Sequence, residues 1–245
     1  MSTLRTSSFA RSRRFEANQA SGHQTIEYAP RMPTRSELTA TVGKVALQLK
    51  ASGFRRFRTD FNKPTEPGLV HVVGFQGNKW GGSFTVNLGV YVREVDQLFD
   101  DWWGQSKRAG VPGEDAAVKE YDCWLRARLG DIRKEGNDKW WNYGDIAGTA
   151  IDIQERLTRD ALPAFTEVSS RAGLLAWWRD RSSSPYRWTI SPRTPLGVAL
   201  LMKQAGDGEE AQAIVDAVFR DTLGKPFHHT ASVVAEEMGL AWRAT

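Results

Sequence analysis

The ten residues Ser83–Val92, SFTVNLGVYV, alternate between apolar and smaller or polar side chains without a break. Phe84, Val86, Leu88, Val90 and Val92 fall on one side of an extended chain, and Ser83, Thr85, Asn87, Gly89 and Tyr91 on the other. A period of two marks a strand. Three nearby stretches read the same way: Phe54–Phe61; Leu69–Gln76, after a turn containing Pro64, Pro67 and Gly68; and Asp122–Ile132. In the last, Cys123, Leu125, Ala127 and Leu129 alternate with Trp124, Arg126 and Arg128. Short links between consecutive strands favour an antiparallel meander. The longer link, 93–121, is expected to hold irregular structure around Trp102–Trp103 and a mobile tip at Gly110–Gly113. The glycines of GFQGNKWGG (Gly74, Gly77, Gly81, Gly82) are read as turn chemistry. No Gly-Lys-Ser/Thr follows them, and a strand rather than a helix comes next, which excludes a phosphate loop.

Helical spacing appears on either side of the strands. Leu38, Val42, Val45, Ala46 and Leu49 recur on one helix face between Ser36, an N-cap, and Gly53, a C-terminal stop. After Trp141 the chain reads as helix: Asp145–Leu162 before Pro163, then Glu167–Arg181 with Thr166 as its cap. Beyond Pro185, Pro192 and Pro195, three short helices are expected, begun by Thr194-Pro195, Asp207 and Thr230, the first two ending at Gly206 and Gly224. Their apolar stripes need a partner surface. The expected fold is α+β: a four-stranded, mainly antiparallel meander sheet with helices packed on one face, plus a C-terminal helical part. Residues 1–34 are expected to form a basic, disordered arm, 35–184 the core domain, and 185–245 a helical subdomain packed on it.

Charge and cysteine usage narrow the function classes. The net charge is +4, and six arginines against two glutamates before Ser36 account for all of it. The remainder is therefore close to neutral, and the overall basic pI says little about the folded part. The arm's Arg- and Ser-rich composition resembles a transit peptide but lacks the apolar stretch of a secretory signal. One cysteine, Cys123, excludes an intrachain disulfide and suits a reducing cytoplasm. No apolar run is long enough for a membrane span. Ten tryptophans are unusual for 245 residues. They either seal a sheet against helices or line a recognition surface, where Trp is enriched.

The segments SGFRRFRTDF, VVGFQ, SFTVNLGVYV, CWLRARLGDI and DKWW occur in that order. Together they resemble a bacterial family named as a domain of unknown function, number 4304, over roughly residues 36–180. The resemblance rests on the Gly-Phe before the first strand, Gln76, the Phe84–Gly89 run, Arg126 and Arg128, and Lys139-Trp140-Trp141. It implies an α+β core and carries no established activity.

Strand parity gives the candidate site. If Phe84/Val86/Leu88/Val90 and Cys123/Leu125/Ala127/Leu129 face one helical layer, the opposite face gathers Thr85, Asn87, Tyr91, Trp124, Arg126 and Arg128. Arg56, Arg58 and Asp60 join it if Phe57 and Phe61 point to the core. Such a face is either a solvated surface of cross-strand ion pairs or a partner surface, with arginine forks for carboxylate or phosphate and aromatics for stacking. Asn87 is unfavourable in mid-strand, so it is either paired to a loop backbone or reserved for a ligand. The candidate binding residues are Gln76, Asn87, Tyr91, Trp124, Arg126, Arg128, Trp140 and Trp141. Arg126 and Arg128 could equally clamp the chain near Asp131, Asp138 or Asp145.

No catalytic set is assigned, and no metal or cofactor. His71 reads as a core histidine, His228-His229 as neighbours of a helix start, and Cys123 as a buried thiol. The expected role is a cytoplasmic binding or accessory protein holding a protein partner. The alternatives are nucleic-acid binding through the basic arm, although no RNP signature is present, and an enzyme on a small anionic substrate, which would require a closed cleft.

Overall fold

A computed structural model describes residues 35–103 and 116–240. The basic arm and the Gly110–Gly113 tip lie outside the described residues. Helix α1 (Arg35–Ala51) leads into a sheet of β1 (Arg55–Phe57), β2 (Asp60–Glu66), β3 (Leu69–Gly77) and β4 (Ser83–Val92). Helix α2 (Arg93–Trp103) follows, then a 3-10 turn (Glu120–Asp122), β5 (Leu125–Arg128) and β6 (Trp141–Asn142). The remainder is α3 (Ile146–Arg156), a π turn (Leu157–Ala161), α4 (Leu162–Glu167), α5 (Arg171–Arg179), α6 (Thr194–Ala205), α7 (Gly208–Thr222) and α8 (Phe227–Glu237).

The fold is α+β, with an antiparallel sheet in the order β1-β2-β3-β4-β5 and β6 paired to one end of β4. The sheet has six strands where the sequence suggests four. The stretch Phe54–Phe61 folds back on itself instead of running straight, because Arg58 takes a positive φ of 59° and opens a turn between β1 and β2. Pro64 sits inside β2, beside a register shift between Pro64 and Glu66, where a missing ladder donor is tolerated. The turn proper is at Pro67–Gly68, where Gly68 has φ 80°. The expected irregular stretch around Trp102–Trp103 is the end of α2, which starts directly from β4.

The helical corrections centre on Pro163. The helix does not stop before it. At the π turn the Leu162 N–H donates to the Leu157 carbonyl, five residues back, and the helix continues to Glu167 with Pro163 in its opening turn, where no N–H is needed. Helix α5 consequently starts later than expected, and Ser170, not Thr166, caps it by accepting from the Gly173 N–H. The C-terminal stops at Gly206 and Gly224 both carry positive φ. Helix α8 starts at Phe227 rather than at Thr230, so His228 and His229 lie in its first turn.

The sheet register defines two faces. The first carries Phe61, Leu69, Val73, Phe75, Phe84, Val86, Leu88, Val90, Leu125 and Ala127, all buried in the main core with residues from α1 and α3 to α8. Burial of each Val, Leu or Phe side chain among them contributes about 1.5–3 kcal/mol. The second carries Asp60, Asn62, Val70, Val72, Gly74, Asn87, Gly89 and Tyr91. This face is covered too, by the segment around the 3-10 turn: Val118 and Cys123 pack with Val70, Val72 and Tyr91 as a separate small cluster. Gly89 makes room for it, and Gly74, whose place in the sequence suggests a turn, lies mid-strand in β3 beside Asp60. A Cβ on Gly89 would lie 2.5 Å from Cys123 Sγ, and one on Gly74 would lie 3.1 Å from the Asp60 carboxylate. The free edge of β5 is lined by residues 185–190: the Thr189 N–H donates to Arg126 O at 2.7 Å and the Arg187 N–H to Ile132 O at 2.6 Å.

His71 lies on the first face, stacked on Phe165 with centroids 4.5 Å apart. Its Nε2–H donates to the Val168 carbonyl at 3.2 Å. Burial lowers its pKa to about 4; the bond to Val168 opposes the shift and Lys63 adds to it. The ring is therefore neutral in the fold and binds a proton more readily when unfolded, near 6.5. Its contribution is fully present above about pH 6.5 and is lost as pH falls toward 4. A His71→Leu variant, followed by urea unfolding between those pH values, is expected to lose about 3 kcal/mol less stability over that window than the wild type. Gly89→Ala is expected to lower stability by about 1–3 kcal/mol at any pH, the cost of overpacking against Cys123.

Candidate functional site

The second face is where sequence reasoning places a site, and the structure divides its residues. Asn87 is buried and its Nδ2 donates to Gln76 Oε1 at 2.7 Å, so these two satisfy each other at the hairpin end of the sheet. Gln76 itself is exposed. Tyr91 is buried, and its hydroxyl donates to Asp96 at 2.8 Å. Trp124 is absent from this face. The 3-10 turn and the bend after it break the alternation before β5 starts, so Trp124 packs against the main core beside Gly197. The same break sends Cys123 to the second face instead of the core face. Arg56 pairs with Phe61 and lies over that ring at 5.9 Å, which places it on the first face, and Arg58 occupies the turn.

The covering segment is held by polar contacts that consume much of this face. Asn62 exchanges two hydrogen bonds with the Val118 backbone, at 3.0 and 2.9 Å. Lys119 pairs with Asp60. Arg126 grips Glu120 with two N–H donors, at 2.5 and 3.0 Å, and that bond raises the guanidinium pKa above its usual value. Thr85 donates to the Lys139 carbonyl at 3.0 Å.

What stays open is the end near β6. Arg128 pairs with Asp138, and its guanidinium lies 5.2 Å from the centre of the Trp140 ring. The Trp140 indole N–H donates to the same carboxylate at 3.2 Å. Trp140 is 37% exposed, while its neighbour Trp141 is 4% exposed and stacked on Phe84. Trp141 faces the core, so the paired tryptophans serve opposite sides of the sheet. Trp80, in the β3–β4 turn, is 80% exposed with Lys79 over its ring, and Tyr121 is 71% exposed on the covering segment.

Beside this end a cleft of about 640 Å³ is lined by Gly130, Arg133, Glu135, Gly136, Asn137, Asp138, Lys139, Arg156, Arg159 and Asp160. Asp138 belongs both to the cleft and to the Arg128–Trp140 cluster. The side chain of Asp160 is 3% exposed and accepts Arg159 through Nε and Nη2 at 2.9 and 2.8 Å, and Arg133 at 3.5 Å. Burial alone would raise its pKa, but the bonds and charges of Arg159 and then Arg133 outweigh it and hold the carboxyl below its ordinary value. Asp152 behaves in the same way: burial opposes ionisation, and Lys139, Trp141 and Arg156 overcome it. The sequence reading missed this cleft, whose residues come from a loop, the end of α3 and the π turn. Among the described residues, no group of three or more His, Cys, Asp or Glu side chains could hold a metal ion. No described helix is long and apolar enough to cross a membrane.

A family model described as domain of unknown function DUF4304 matches residues 45–167, half of the chain. The chain belongs to the DUF4304 family. The DUF4304 segment takes in the sheet, the covering segment and every residue of the cleft; α5 to α8 lie beyond it. No curated protein and no solved structure matches the chain.

Asp152 ties the loop to α3, accepting Lys139 Nζ and the buried Trp141 N–H at 2.6 Å each and Arg156 at 3.0 Å. Asp152→Ala is expected to cost about 1–3 kcal/mol in chemical denaturation, because the Trp141 donor is left buried without a partner. Asp152→Asn keeps an acceptor oxygen and is expected to lose less.

Proposed function

We propose that this protein is a binding or accessory protein that holds a protein partner at the open end of the second sheet face, through Trp140, Arg128 and Gln76. The observation that supports this reading is Trp140: a large aromatic left partly exposed, with its orientation fixed by an indole bond to Asp138 and by the Arg128 guanidinium. Trp and Arg are enriched among the residues that dominate interface energies, and a side chain already held in one geometry loses little entropy on binding. Exposed Trp80 and Tyr121 extend the same aromatic character around the hairpin and the covering segment. The centre of the face is sealed by the chain itself, so a partner meets a rim of side chains there.

The test is quantitative affinity capture from extract of the source organism with the full chain, its Trp140→Ala and Arg128→Glu variants, and a Leu223→Ala control on the exposed end of α7. A partner is expected to be retained by wild type and control and to weaken by about tenfold or more in each variant, as interface hot spots do. A folded Trp140→Ala/Arg128→Glu double variant that captures the same partners as strongly as wild type would exclude this surface.

A further inference from the structure

We infer that the cleft between the 130–139 loop and the π turn is a binding site for a small phosphate-bearing molecule. This goes beyond the partner surface proposed above and depends on different residues. Four cations line the cleft, Arg133, Lys139, Arg156 and Arg159, and each is fixed by a carboxylate without being used up by it. Among the described residues, Arg156 is bonded through Nε alone, at 3.0 Å to Asp152, which leaves both terminal nitrogens of its fork. Arg159 spends Nε and Nη2 on Asp160 and keeps Nη1. Arg133 spends Nε on Glu135 and Nη1 on Asp160 and keeps Nη2.

The carboxylates of the cleft are committed in the opposite sense. Glu135 holds Arg133, Asp138 holds Arg128, and Asp160 holds Arg159 and Arg133. The groups left over for a ligand are therefore mainly N–H donors on planar, permanently charged forks, which match the geometry of phosphate oxygens. Because the forks are already held, binding loses little side-chain entropy.

The backbone around the cleft is equally fixed. A Cβ on Gly130 would lie 2.6 Å from Asn137 O and the Lys139 backbone N, and one on Gly136 would lie 2.6 Å from Gly130 O. The loop therefore closes on itself so tightly that these positions accept only glycine. On the opposite wall, the π turn carries Arg159 and Asp160, and π turns are a recurrent local device of functional sites. The volume, about 640 Å³, falls within the range of sites for small organic ligands.

Titration calorimetry of the full chain with inorganic pyrophosphate, methyl phosphate and citrate tests the inference. Pyrophosphate is expected to bind saturably at one site with a Kd of about 1 mM or tighter. Arg156→Gln and Arg156→Lys, which both lose the fork, are expected to weaken it by about tenfold or more, and Arg220→Gln, on exposed α7, to leave it unchanged. Thermal melts of Arg156→Lys against wild type separate a lost contact from a lost fold. Overturning results are no saturable binding of either phosphate probe, equal weakening by Arg220→Gln, full retention in folded Arg156→Lys, or binding of citrate alone.

Discussion

The molecule depends on a close approach of backbone to backbone across the second face of the sheet. The segment carrying the 3-10 turn lies against β3 and β4, and Gly89 leaves it the space to pass: a Cβ there would lie 2.5 Å from Cys123 Sγ and 3.6 Å from Glu120 Cα. Two bonds between Asn62 and Val118 fix its height above the sheet, and the ion pairs Lys119–Asp60 and Arg126–Glu120 fix it laterally. The sheet is thereby buried on both sides, by helices on one and by coil on the other. Since coil offers few apolar side chains, the second layer is held by polar groups that satisfy one another, and among the described residues of the segment Val118 and Cys123 add apolar contact.

That arrangement explains which parts of the fold are legible in the sequence. The core face of β4 could be read directly, because Phe84, Val86, Leu88 and Val90 are buried in the alternating order that the pattern demands. The second face carried a quieter signal. Glycine in mid-strand marks either a bulge or an approaching segment, and Gly89 marks the approach. Periodicity failed at Cys123 and Trp124. They continue the alternation of Leu125 and Ala127 by coincidence, yet a 3-10 turn and a bend separate them from the strand, so their side chains exchange sides. Turn geometry of this kind is set by contacts with a distant segment, which a local pattern cannot contain.

The charged cleft was hidden for a related reason. Arg133, Arg156, Arg159 and Asp160 are ordinary surface residues when read in order, and they converge through the packing of the 130–139 loop against the end of α3 and the π turn. In the sequence Pro163 reads as a stop, its commoner effect. The extra residue per turn in the π geometry shifts the helix phase and brings a carboxylate at position 160 inward, where its side chain is 3% exposed. Trp140 and Trp141 both read as binding residues, but only Trp140 stays at the surface, because Trp141 is buried against Phe84. Adjacent residues in extended chain must part company, and one seals the core while the other stays at the surface.

The two margins of the sheet have a consequence for how this chain meets others. On one side β1 is only three residues long and carries Arg55 and Arg56; on the other, β5 is shielded by the 185–190 stretch. Long unpaired strand margins invite neighbouring chains to add on, and short, cationic or shielded ones discourage it. This sheet therefore offers little template for growth by strand addition, whether by a peptide guest or by further copies of itself. Neither margin presents the long generic hydrogen-bonding row that any extended peptide can pair with.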